Sequence, residues 1–183
     1  SKNSDTFLPR FWPSYFSKAK GINIWDLDNK KYIDTSLMSV GTNILGYANS
    51  RIDSKVKKAI DDSITSTLNC PEEVELCEKL VSMHKWSDMA RLARTGGEVN
   101  AMAIRLSRAY TKKDKIAICG YHGWHDWYLS TNLKNNNSLN GHLFPNLKTE
   151  GVPKILKNSV FQFTYNKIEE LKKIINENKD IGT

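Results

Sequence analysis

The sequence is poor in cysteine: Cys70, Cys77 and Cys119 are the only three in 183 residues, and no two stand as Cys-x-x-Cys. That excludes a disulfide framework and a zinc ribbon, and it fits a reducing compartment, so a cytoplasmic location is expected. Long apolar runs are also missing. Nothing approaches the about 18 consecutive apolar residues of a membrane-spanning helix, and residues 1–16 lack a signal-peptide core, so a soluble protein without a membrane partner is expected. Charge is unbalanced, with 27 Lys and Arg against 20 Asp and Glu, a formal +7. The lysines nevertheless spread over helix faces in company with acidic residues (Lys55, Lys57, Lys58; Lys167, Lys172, Lys173) and form no basic block, which argues against a nucleic-acid partner. His122, His125 and Asp126 make no His-Glu-x-x-His pattern, and His84 and His142 are remote in sequence, so no metal site is expected.

What is present reads as alternating elements. Residues 1–20 are broken by Pro9 and Pro13, rich in rings, and expected to be irregular. Ile22–Asp34 reads as two strands around a tight Asp28-Asn29 turn, since Asn tolerates the positive φ that hairpins require. A helix over 51–65 with Ser50 as N-cap follows, and Pro71-Glu72-Glu73 opens another. Met89–Arg94 is expected as a strand, 98–111 as a helix presenting Val99, Met102, Ala103, Leu106 and Tyr110, and 115–119 as a strand, together a βαβ-like unit in an α/β layer structure. The asparagine-rich stretch 130–153 reads as a long loop, and strand 160–163 and helix 167–178 resume the alternation.

The chemistry concentrates in two places. At Thr95-Gly96-Gly97-Glu98 an extended run turns into a helix, which leaves backbone N–H groups bare at the positive end of the helix dipole. Glycine lets an anion approach the main chain there, and Thr95 adds a hydroxyl; the same pair serves equally well as a plain tight corner. Glu98 would repel a phosphate unless its carboxylate points away. Just past strand 115–119 comes Gly120-Tyr121-His122-Gly123-Trp124-His125-Asp126-Trp127, where ligands of open α/β sheets collect. Tyr121 there can lie flat on a heteroaromatic ring, or it and its aromatic neighbours can be core.

In this order, the hairpin 24–34, the loop Ser39-Val40-Gly41-Thr42-Asn43-Ile44-Leu45-Gly46-Tyr47, the turn Thr95–Glu98, the helix Ala103–Thr111 and Gly120-Tyr121-His122-Gly123 resemble the class III pyridoxal-phosphate aminotransferases, nearest to the glutamate-1-semialdehyde aminomutase branch. The resemblance implies a PLP-dependent transferase fold of type I, aspartate aminotransferase-like. Residues 1–48 would form a small N-terminal part with the hairpin, and 49–183 the first part of the large PLP-binding α/β domain. It further implies that Thr95, Gly96 and Gly97 bind the cofactor phosphate, that Tyr121 stacks on the pyridine ring with His122 beside it, and that Ser39 lies near the substrate. The family turn is usually Ser-Gly-Thr, so Gly97 stands where a side chain is expected.

Family members are longer, and by resemblance the Schiff-base lysine and the aspartate on the ring nitrogen fall beyond Thr183. No catalytic residue is therefore assigned, and this portion alone is expected to be inactive. The implied function is amino-group transfer between a small-molecule amino donor and a carbonyl acceptor through a Schiff base on pyridoxal 5'-phosphate, in a homodimer. The alternatives are a non-catalytic α/β module that binds a phosphate ligand and a basic surface-binding protein. Taken by itself, the 183-residue chain is expected to be unstable or associated.

Overall fold

The tight turn at Asp28-Asn29 forms as the sequence predicts: strands β2 (Asn23–Asp26) and β3 (Lys31–Ile33) pair antiparallel, with Asn29 at φ +62°. The computed structural model describes residues 13–142 and 146–183. Phe7, Phe11 and Trp12, among the rings noted near the N-terminus, lie outside the described residues. Within them, the irregular reading of 1–20 is corrected at Phe16–Lys20, a strand (β1) that pairs antiparallel with β2 and carries a bulge between Phe16 and Lys18. The pattern Phe-Ser-Lys-Ala-Lys is too polar to announce a strand, and it is the backbone edge of β2 that recruits it.

Two compact units divide the chain, one reaching to Pro71 and the other spanning Glu72–Thr183. In the first, the buried carboxylate of Asp26 organises the hairpin. Its Oδ1 accepts from the Asp28 and Lys30 amides at 3.0 and 2.9 Å, and its Oδ2 from the Tyr32 hydroxyl at 2.8 Å. Helix α1 (Ser50–Asp61) ends earlier than 65, and its cap is Asn49 rather than Ser50, because the Asn49 side chain accepts from the Arg51 and Ile52 amides. Its apolar face, Ile52, Val56 and Ile60, stays exposed, and among the described residues of this unit no apolar side chain is fully buried.

The second unit holds the core. Helix α2 (Pro71–Met83) starts at its proline as expected, and α3 runs Gly96–Thr111. Strand β4 (Ile116–Ile118) pairs in parallel with β5 (Val160–Gln162), and α5 (Ile168–Glu177) follows. On the other side of β4, Lys115 bridges Ile181 in parallel and the Ala117 amide donates to the Thr183 carbonyl at 2.7 Å. The strand expected over Met89–Arg94 does not form. A strand exists only with a neighbour, and among the described residues no ladder reaches 89–94, so the parallel unit is β4 to β5 rather than one straddling α3.

Two further expectations change. The face of α3 that meets the core is that of Ile104, whereas Leu106 and Tyr110 are exposed. The stretch 130–153 is not a surface loop throughout: it opens with a 3-10 turn at Ser130–Leu133 that continues helix α4 (Asp126–Leu129). Tyr128, Leu129 and Leu139 are buried with Ile116, Ile118, Val152 and Val160. Asn132 is fully buried and splits its amide between the Leu139 N–H and the Leu147 carbonyl, each at 2.9 Å, which pins the polar-looking segment inside. No helix among the described residues is long and apolar enough to cross a membrane, and no group of three or more His, Cys, Asp and Glu side chains suited to a metal occurs among them.

Candidate functional site

The N-terminus of α3 is built by a reciprocal cap. Thr95 is extended at φ −135°; its hydroxyl oxygen accepts from the Glu98 amide at 3.2 Å, and the Glu98 carboxylate accepts from the Thr95 amide at 3.0 Å. The Glu98 carboxylate is thereby engaged with the Thr95 amide at the head of the helix. The Val99 amide bonds the Thr95 carbonyl, which leaves the amides of Gly96 and Gly97 without an acceptor among the described residues. Two adjacent unpaired donors at the head of a sixteen-residue helix, where the dipole is positive, suit one anion.

The second element sits against the first. Gly123 lies at φ +107°, and a Cβ built on it would stand 3.3 Å from the Gly97 Cα. A Cβ built on Gly97 would stand 2.3 Å from Nε2 and 2.6 Å from Cδ2 of His125. The Asn100 amide donates to the His122 carbonyl at 3.4 Å, tying the same loop to the second turn of α3. The main chains of the glycine turn and of 120–125 are thus in contact. A side chain at 97 would have to displace the His125 ring.

The rings divide between core and surface. Tyr128 is fully buried and Trp127 packs against the core, whereas Trp124 is largely exposed. Tyr121 is 38% exposed, three residues past β4, and edge-on to Tyr128 with centroids 5.6 Å apart. Tyr128 forms a rigid backing to its ring. His122 is half-buried, and its Nε2 lies 2.9 Å from the Cys119 carbonyl. A carbonyl only accepts, so Nε2 carries the proton and donates, and Nδ1 is left as an acceptor.

Behind them the Tyr128 hydroxyl meets Nδ1 of His142 at 2.8 Å. Burial, with a smaller contribution from Tyr121, pushes the Tyr128 phenol up to about 12, and burial, then His122, holds His142 below the ordinary imidazole range. Neutral His142 therefore accepts the phenol proton, and the Nε2 that remains is buried without a partner among the described residues.

Five of the predicted site residues, Thr95, Gly96, Gly97, Tyr121 and His122, therefore come together in the second unit. Ser39 alone belongs to the first, in a run Met38-Ser39-Val40 with φ of +42°, +61° and +60°. Its carbonyl accepts the Thr42 hydroxyl at 2.8 Å. Two contributors escape a reading of motifs, Asn100 and His125. The one signal for His125 is the vacancy at Gly97, which asks what fills the space of the expected side chain. Two crevices, one of about 510 Å³ bounded by Phe161 and Lys173 and one of about 460 Å³ bounded by Cys77 and Met89, are lined by none of the site residues.

The residues fit a phosphate ester carrying an aromatic ring: a cradle too shallow for a Cβ at 97, two unpaired amides, and a half-exposed tyrosine beside them. Comparison with known proteins gives the family and the fold. The chain is 34% identical to a 3-aminobutyryl-CoA aminotransferase of Cloacimonas acidaminovorans over 95% of its own length and 38% of that protein. It is 35% identical to a glutamate-1-semialdehyde 2,1-aminomutase of Nitrosopumilus maritimus, over 93% of this chain and 39% of the relative. A solved transaminase with PLP bound superposes with a TM-score of 0.77 at 25% identity, covering 97% of this chain and 40% of that one. The chain thus spans about 40% of the length of each, and the fold is that of the PLP-dependent transaminases. With the aminotransferase class-III pattern matching residues 10–181, the chain belongs to the class-III aminotransferase family.

Proposed function

We propose that this chain is the cofactor-gripping portion of a PLP-dependent aminotransferase or aminomutase. The observation that carries the reading is the pair of unpaired amides at Gly96 and Gly97, held open by the Thr95–Glu98 cap directly beside the loop bearing Tyr121. In this reading Gly96 and Gly97 donate to the phosphate of pyridoxal 5'-phosphate, and Thr95 fixes the turn while its hydroxyl proton remains free to donate. Tyr121 covers one face of the ring and excludes water from it. His122, anchored on the Cys119 carbonyl, keeps the Tyr121 backbone in place. Bound PLP supplies an electron sink for the carbon that carries the amino group. Ser39 is assigned to the substrate by family resemblance, and the substrates are a small amino donor and a carbonyl acceptor.

The same reading places the protein in the cytoplasm, consistent with three free cysteines, and in a homodimer, supported by the exposed apolar face of α1. Calorimetric titration tests it. PLP is expected to bind at least about tenfold more tightly than pyridoxal, which lacks the phosphate, because charge-assisted bonds to the glycine amides are lost. Equal affinities for the two would overturn the phosphate assignment.

A further inference from the structure

The resemblance implies a hydroxyl side chain where Gly97 stands, and the space a Cβ there would enter is occupied by the imidazole of His125. His125 stands at the N-cap of α4, yet its side chain makes no capping bond to that helix. Its ring nitrogens have no hydrogen-bond partner among the described residues, while its carbonyl accepts from the Tyr128 and Leu129 amides and so fixes where the ring starts. Gly123, two residues earlier, brings this loop within van der Waals reach of Gly97. The ring is thereby delivered to the head of α3 from outside the helix.

We propose that His125 is a phosphate-binding residue, donating from Nε2 to the cofactor phosphate in place of the side chain that Gly97 lacks. The proposal rests on the PLP reading above and adds to it a donor from a different element. With the ring where it stands, a Cβ at 97 would lie 2.3 Å from the imidazole nitrogen, so a side chain there would displace the ring. A side chain at 97 and the ring of His125 are thus alternative solutions to one task. Glycine at 97 is then a compensated exchange rather than a lost contact.

The test uses the full chain, titrated with PLP and with pyridoxal. His125→Ala is expected to weaken PLP about tenfold, the worth of one hydrogen bond to a charged group, and to leave pyridoxal unchanged. Adding Gly97→Thr to His125→Ala is expected to recover most of that loss, because the vacated space then holds a hydroxyl. Loss of both ligands alike, no loss of PLP, or no recovery in the double variant would overturn the proposal. Should His125→Ala not fold, the wild-type chain with ¹⁵N-labelled histidine decides: the His125 Nε2 resonance is expected to move with PLP and not with pyridoxal, and a ring nitrogen that ignores both overturns the proposal. A wild-type chain that prefers PLP while His125→Ala does so equally sinks only this assignment. A wild-type chain without that preference sinks the PLP reading and this proposal with it.

Discussion

At the scale of single residues, the site depends on side chains that shape the main chain around it. Thr95 and Glu98 cap each other, so that the two donors left over are those of the glycines. Thr95→Ala is expected to cost about 0.5–2 kcal/mol of stability, the usual worth of such a cap, readable by urea unfolding. Tyr128 behaves differently. Its hydroxyl is the partner of His142 in a buried pair, and Tyr128→Phe leaves Nδ1 of His142 without a donor, an expected loss of about 1–3 kcal/mol. The same pair gives a pH dependence with a definite sign. His142 has a folded pKa below its ordinary value near 6.5, so below that pH the unfolded chain takes up a proton that the folded chain refuses. Stability is therefore complete above about pH 6.5 and declines as the pH falls toward the depressed folded value. Denaturation curves for the wild type should shift to lower midpoints over that interval, and His142→Asn should flatten the shift. A wild-type midpoint that rises on acidification would contradict the assignment of neutral His142.

At the scale of elements, what could be read in the sequence was what local chemistry decides. Asn29 at the hairpin turn, Pro71 at the first turn of α2 and the glycine pair at the head of α3 all act through backbone preferences that need no tertiary partner. The misreadings share the opposite character. Met89–Arg94, which carries no β-branched or aromatic residue, finds no ladder among the described residues, while the polar Phe16–Lys20 finds the edge of β2. The stretch after 130 reads as loop because it is rich in asparagine, yet Asn132 is buried with its amide satisfied at both ends. Of the site, the glycines were legible as residue types at the head of a helix and Tyr121 as one just past a strand. His125 was not, because its position over Gly97 arises from a backbone contact at Gly123 that no local pattern encodes.

Two tests belong at this scale. Asn132→Ala removes both ends of the bridge to Leu139 and Leu147 and should destabilise the second unit by about 2–4 kcal/mol, with hydrogen exchange at the Leu139 amide rising accordingly. Gly123→Ala places a Cβ 3.3 Å from Gly97 Cα on a backbone at φ +107°, so it should part the loop from the turn and weaken PLP binding more than it lowers the unfolding midpoint. Equal affinity for PLP in that variant would show that the contact is dispensable.

At the scale of the whole molecule, burial is uneven. The second unit has a core around Ile116, Tyr128, Leu139 and Val160, whereas the first shows no fully buried apolar side chain among its described residues. The row Ile52, Val56 and Ile60 on α1 is about half-exposed, at 51%, 52% and 58%. Apolar rows of this kind are ordinarily covered, which accords with a chain that spans about 40% of its relatives' length. Sedimentation velocity should accordingly show association that grows with concentration, and Ile52→Lys with Val56→Lys should suppress it. A monomer with one cooperative thermal transition at all concentrations would contradict this expectation.

The central claim is that the Gly96 and Gly97 amides hold a phosphate whose ring lies against Tyr121. The most direct measurement is a ¹H–¹⁵N correlation spectrum of the chain during titration with PLP and, separately, with pyridoxal. The Gly96 and Gly97 amide resonances are expected to shift with PLP alone, while the Tyr121 ring resonances respond to both ligands. Shifts confined to the crevice near Phe161 and Lys173, or glycine amides unmoved by saturating PLP, would contradict it.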